Sequence, residues 1–145
     1  MRAVIALGSN LGDREANIQE AIAHLSQHFT VEKVATPITT DPVGYIDQPD
    51  FLNTVLIVDS DYSSLETLRI LLTIENEMGR VREIHWGPRN IDIDLITYGQ
   101  EILNTDELTL PHPRAHERAF VLAPWHEIDP DAVIPGLGRI ADLLS

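Results

Sequence analysis

The chain of 145 residues contains no cysteine. Disulfides, thiol nucleophiles and thiolate metal sites are therefore excluded, and any metal must be held by oxygen or imidazole. Cations are scarce as well. Lys33 is the single lysine, and 10 Lys and Arg stand against 23 Asp and Glu, for a formal net charge of −13. That balance argues against nucleic-acid backbones and anionic membranes as partners. No apolar run reaches the roughly 20 residues that span a bilayer. Residues 1–8 are too short for a secretory signal and read as a strand. Hydrophobic residues make up 43% and charged residues 23% of the chain, the balance of a soluble globular protein. The expectation is one domain over 1–145, monomeric and cytoplasmic, with a core of useful size.

The few cations that are present cluster. Arg80, Arg82, Arg89, Arg114 and Arg118 fall in the stretch 80–118, so a local basic site on an acidic protein is expected. Between them lies Ile91-Asp92-Ile93-Asp94-Leu95-Ile96, where apolar and acidic residues alternate. On a strand, alternate side chains share a face. Ile91, Ile93 and Leu95 would face a core, and Asp92 and Asp94 would face out together. Their backbones would be roughly 6.5–7 Å apart, close enough for both carboxylates to reach one hard cation. Mg²⁺ suits such a pair, because it takes one or two carboxylates and completes its octahedron with water and phosphate oxygens. Arginines are the matching partners of those phosphates. The same alternation also fits an edge strand with a solvated acidic face, and the arginines could simply neutralise it.

Periodicity gives the elements. Residues 2–7 read as a strand, 8–13 as a turn and 14–28 as a helix with Ile18, Ala21, Ile22 and Leu25 at helical spacing. A second strand is expected over 30–38 and a third over 51–58, where Phe51 and Asn53 share a face. Ser63-x-x-Glu66 is a capping box that opens a helix with Leu65, Leu68, Leu71 and Leu72 on one side. The acidic strand follows over 91–98. Tyr98-Gly99-Gln100 reads as a hairpin turn into 101–103. The order strand–helix–strand–strand–helix–strand is that of an α+β, ferredoxin-like β-α-β-β-α-β core. Its sheet is expected to be mostly antiparallel, with helices on one face and an added C-terminal hairpin region.

Other residues admit two readings. Phe51 and Asn53 could stack on and hydrogen-bond a flat heterocycle, or Phe51 could be core and Asn53 a turn cap. His112, between Pro111 and Pro113, could donate to a phosphate or contact solvent. Trp86 could cover a nucleotide or pin its own loop. Glu75 and Asn76 read as a solvated helix face.

Taken together, these pieces resemble the 6-hydroxymethyl-7,8-dihydropterin pyrophosphokinases of folate biosynthesis. The resemblance rests on Ala6-Leu7-Gly8-Ser9-Asn10-Leu11-Gly12, Asp47-Gln48-Pro49-Asp50-Phe51-Leu52-Asn53, Gly79-Arg80-Val81-Arg82, Trp86-Gly87-Pro88-Arg89-Asn90-Ile91-Asp92-Ile93-Asp94 and Pro111-His112-Pro113-Arg114. It implies one pyrophosphokinase domain over 1–145, ATP as co-substrate, and transfer of pyrophosphate to a pterin hydroxymethyl group with release of AMP. By the same resemblance, Asp92 and Asp94 hold two Mg²⁺ ions. Thr40, Pro42 and Val43 line the pterin pocket, Asn53 reads the ring edge, and Phe51 and Phe120 sandwich the ring. Arg80, Arg82, Arg89, His112 and Arg118 handle the triphosphate, with Arg80 and Arg89 nearest the chemistry. Glu75 and Trp86 order the nucleotide. Loops over about 40–50 and 80–90 are expected to close over ATP. The chain departs from the pattern at Phe51 and Pro113, where some members carry Tyr, and at Glu83, where some carry a basic residue. Two rival classes remain: a non-catalytic ligand-binding module, which has no need of Asp92, Asp94, Arg80 and Arg89, and a Mg²⁺-dependent phosphohydrolase, which has no need of Phe51, Asn53 and Phe120.

Overall fold

The computed structural model of the chain describes residues 1–40, 50–78 and 91–144. Strand β1 (Arg2–Ser9) leads into helix α1 (Arg14–His28), then β2 (Thr30–Val34), β3 (Ile38–Thr40) and β4 (Phe51–Asp59). Helix α2 (Ser64–Glu77) and β5 (Asp92–Tyr98) complete the core. The sheet order is β2-β4-β1-β5, with β3 also paired to β4, and every neighbouring pair is antiparallel. This is the expected ferredoxin-like arrangement, in which each β-α-β unit leaves a gap that the other unit's strand fills.

Local chemistry explains the boundaries. Asp13 caps α1 by accepting from the Ala16 N–H, and Ser63 caps α2 by accepting from the Glu66 N–H; each occupies an orphan donor of a first helical turn. The expected second strand is split in two by Pro37, which cannot donate to the ladder. At that break Ala35 donates to Val55 O and its carbonyl accepts from the Thr54 hydroxyl, so buried backbone groups stay paired. Glycine 8 lies inside β1 and not in a turn, because β1 runs on through Ser9. The turn at Gly99 forms with φ +55°. The strand beyond it, β6 (Leu103–Asn104), pairs with β7 (Thr109–Leu110) and not with β5.

Helices lie on both faces of the sheet, not on one. Ala3, Ile5, Leu7, Leu56, Val58, Ile93 and Leu95 pack with Ile18 and Leu25 of α1 and Leu71 and Ile74 of α2. On the other face Val4, Val55, Ile57 and Ile96 pack with Val121, Leu122 and Trp125 of α3 (Ala119–Ile128). The reason lies in β4, where residues 53–58 are all buried. A strand apolar without alternation is covered on both sides. A small hairpin, β8 (Val133–Ile134) with β9 (Gly138–Arg139), and the short α4 (Ile140–Leu144) close the far side of α3.

Candidate active site

Helix α3 covers only part of its face of the sheet. Beyond Val4, Val55 and Ile96, the ladder continues on this face with polar and small residues among Ile38 and Phe51. Register places Ile38 opposite Asn53, Asn53 opposite Gly8, and Gly8 opposite Asp92. The next row on the same face is Val55, Ala6 and Asp94. Facing residues of antiparallel neighbours share a face, so Asn53, Asp92 and Asp94 rise from the face that α3 leaves open. Phe51 belongs to it too, two residues from Asn53. Asn53 is buried, and its amide nitrogen donates to the Thr40 hydroxyl. Phe120, in the first turn of α3, is half-buried at the edge of the α3 cluster.

Around the outer edge of β5 opens a cleft of about 420 Å³. Leu68, Leu72 and Glu75 of α2 form one wall, Asp92 and Asp94 the floor, and His112 and Arg118 the other wall. The segment carrying His112 is fastened to β5, since the His112 N–H donates to Ile96 O at 2.8 Å. The His112 Nδ1 accepts from the Arg114 N–H at 3.3 Å, which leaves the proton on Nε2. Burial, then the Arg118 guanidinium, push the imidazole pKa below its ordinary value, with Asp92 acting the other way. His112 is thus a neutral N–H donor at pH 7. The Arg118 guanidinium lies 5.6 Å from the centre of the Phe120 ring, within cation–π range. That contact links the cleft to the aromatic residue at its margin.

Glu75 departs from the expectation of a solvated face: it is 1% exposed. Its Oε2 accepts from the Ile93 N–H at 2.7 Å. Ile93 separates the two aspartates, so this carboxylate holds the backbone that sets their spacing. Helical periodicity gave no sign of it, because the partner is a main-chain group 18 residues away.

The structure therefore brings Glu75, Asp92, Asp94, His112 and Arg118 into one cleft, and Thr40, Phe51 and Asn53 into a neighbouring patch of the same sheet. Pro42, Val43, Arg80, Arg82, Trp86 and Arg89, with the loops that carry them, lie outside the described residues. Leu71 faces the core, whereas Leu72 turns 39% exposed to the cleft with Leu68.

The donor set fits Mg²⁺. Among the described residues no group of three or more His, Cys, Asp or Glu side chains converges as a metal cage. Two carboxylates on an open strand face leave positions for water and phosphate oxygens, which Mg²⁺ favours; a structural Zn²⁺ site would need four protein ligands.

A ferredoxin-like antiparallel sheet with an acidic pair on one face, beside a cleft that also holds an arginine and an imidazole, defines a class of α+β domain whose carboxylates can take a hard divalent cation. The chain belongs to the family described as 7,8-dihydro-6-hydroxymethylpterin-pyrophosphokinase, which it matches over residues 4–130. It is 49% identical over 128 residues to a 2-amino-4-hydroxy-6-hydroxymethyldihydropteridine pyrophosphokinase of Bacillus subtilis, covering 87% of this chain and 77% of that one. A protein of the same name from Haemophilus influenzae is 40% identical over 145 residues, covering 99% and 91%. The fold is shared with Plasmodium falciparum HPPK-DHPS, at a TM-score of 0.75 and 14% identity; 99% of this chain is covered and 44% of that longer one. Another solved HPPK-DHPS, described as in complex with substrates, gives a TM-score of 0.76 at 14% identity, with 99% and 42% covered. The chain spans less than half the length of these longer proteins.

Proposed function

We propose that this chain transfers pyrophosphate from ATP to the hydroxymethyl group of 6-hydroxymethyl-7,8-dihydropterin, releasing AMP, as one domain over 1–145. Membership of the family supports the activity. The observation that carries its geometry is the row Asn53–Gly8–Asp92, which sets a heterocycle-reading amide and the acidic pair on opposite sides of one strand of a single open face. In this reading Asn53, Thr40, Phe51 and Phe120 bind the pterin, with Pro42 and Val43. The cleft along β5 takes the nucleotide, with Leu68 and Leu72 as an apolar wall for its base and Glu75 beneath. The Nε2–H of His112 and the Arg118 guanidinium donate to its phosphates, and Arg80, Arg82, Arg89 and Trp86 act on the same group.

The pterin hydroxyl oxygen forms a bond to the β-phosphorus, the bond from that phosphorus to the α,β-bridging oxygen breaks, and AMP departs with its electron pair. The hydroxyl proton passes to solvent. Alignment and charge neutralisation dominate such transfers. Asp92 and Asp94 would hold Mg²⁺, two ions by the family resemblance, and bound Mg²⁺ supplies neutralisation of the charge on the transferring group. His112 and Arg118 offer fixed donors to oxygens that gain charge as the bond breaks. A monomer acting in the cytoplasm, on small molecules and without nucleic-acid or membrane partners, fits the charge of −13. Among the described residues no helix is long and apolar enough to cross a membrane.

The test is to mix protein, ATP, Mg²⁺ and hydroxymethyldihydropterin and to identify the products by mass spectrometry. AMP together with pterin pyrophosphate is expected. ADP, or ATP consumption that ignores pterin, rejects the reading; ADP would point to a simple kinase and pterin-independent loss to a phosphohydrolase.

A further inference from the structure

Gly8 is a glycine that backbone conformation does not require. Gly12, Gly99, Gly136 and Gly138 have positive φ, but Gly8 does not. It occupies an ordinary strand position in the central strand β1, where glycine by itself weakens a sheet. What distinguishes the position is space. A Cβ built there lies 2.9 Å from Asn53 Oδ1 and 3.4 Å from Phe51 Cδ1. The first distance is too short for an unmoved neighbour. Asn53 cannot yield freely, because it is 7% exposed and its amide nitrogen is held by Thr40.

We infer that Gly8 sets acceptor specificity: its bare backbone is the floor over which an alcohol anchored on Asn53 extends its reactive arm to Asp92 and Asp94. This rests on the proposed pterin reaction. The register supports it, since Gly8 has Asn53 directly opposite on one side and Asp92 directly opposite on the other. An acceptor whose ring lies over Asn53 must cross β1 at this row to bring its hydroxyl to the acidic pair. Asn53 Oδ1 is free of the Thr40 bond and stands over this floor, placed to accept from a ring N–H. A methyl group at position 8 would fill the floor and displace that oxygen together.

The inference is tested with Gly8→Ala. Thermal midpoint, Mn²⁺ binding by electron paramagnetic resonance, and steady-state KM for each substrate are measured beside wild type. The gain in strand propensity opposes the cost of displacing Asn53, so the midpoint should fall by no more than a few degrees, and Mn²⁺ affinity and KM for ATP should match wild type. KM and Kd for the pterin should rise about tenfold or more, the loss expected when one buried hydrogen bond is spoiled. Because part of the effect acts through Asn53, Gly8→Ala should cost less on an Asn53→Ala background than it does alone. Pterin affinity within twofold of wild type, a collapsed thermal midpoint, or fully additive losses would each overturn it. Wild-type protein that turns over pterin while Gly8→Ala behaves normally rejects this inference alone. Wild-type protein that binds no pterin rejects the functional reading and this inference with it.

Discussion

Replacing Glu75 with alanine should loosen the strand that carries the acidic pair. Glu75 is 1% exposed and its carboxylate accepts from the Ile93 N–H at 2.7 Å. Hydrogen bonds to charged groups contribute about 1.5–3 kcal/mol, and a buried donor left unsatisfied costs about 1–3 kcal/mol. These are two views of one loss and must not be added. Release of the buried carboxyl group's own desolvation cost opposes it. The stranded N–H decides the sign, because the side chain that replaces the carboxylate offers no acceptor. A net loss of about 2–3 kcal/mol is expected. For a chain of this size that lowers the thermal midpoint by about 5–12 °C. Glu75→Gln keeps an acceptor of the same shape without the charge, so it should recover at least half of the loss. A structural loss alone would stop there. Because Ile93 lies between Asp92 and Asp94, Glu75→Ala should also weaken Mn²⁺ binding well below the temperature of unfolding, and Glu75→Gln should restore it. Differential scanning calorimetry and Mn²⁺ titration read both effects. Wild-type stability together with wild-type Mn²⁺ affinity in Glu75→Ala would show that the Ile93 bond positions nothing.

Asp92→Asn and Asp94→Asn should each remove most turnover and most Mn²⁺ affinity while the circular dichroism spectrum is retained, since both side chains are half-exposed and the substitution keeps their shape; full activity in either would remove the metal assignment. Phe51→Ala should weaken pterin binding by about 0.5–1.5 kcal/mol beyond the area lost, and Asn53→Ala by about 1–3 kcal/mol, with ATP affinity in the absence of pterin unchanged; calorimetric titration that finds normal pterin affinity in both would place the pocket elsewhere. His112 should make the protein acid-sensitive when chelator keeps divalent ions away. Its folded-state pKa lies below the ordinary 6.5, chiefly through burial. Between those two values the unfolded chain binds more protons, so stability is complete above pH 6.5 and falls as pH drops below it. Thermal midpoints of wild type and His112→Asn from pH 5 to 8 should diverge below 6.5, and parallel curves would refute the assignment.

The sequence alone carried the element order of the core and most of its boundaries. Helical spacing located α1 at residues 14–28, the Ser63–Glu66 box located the start of α2, and alternation of Ile and Asp put Asp92 and Asp94 on one face of β5. These features are local: caps, turns and period-2 patterns act within a few residues. Three things needed tertiary structure. The role of Glu75 depends on a main-chain N–H that the fold brings from 18 residues away. The two-sided sheet depends on where α3 docks, which an apolar stretch at 119–125 does not state. The value of Gly8 depends on register, because only the pairing of β1 with both β4 and β5 puts it between Asn53 and Asp92. Residue order encodes which side chains share a face of one strand; which strands lie side by side is settled by burying apolar surface across the whole chain, and the site is built from that adjacency.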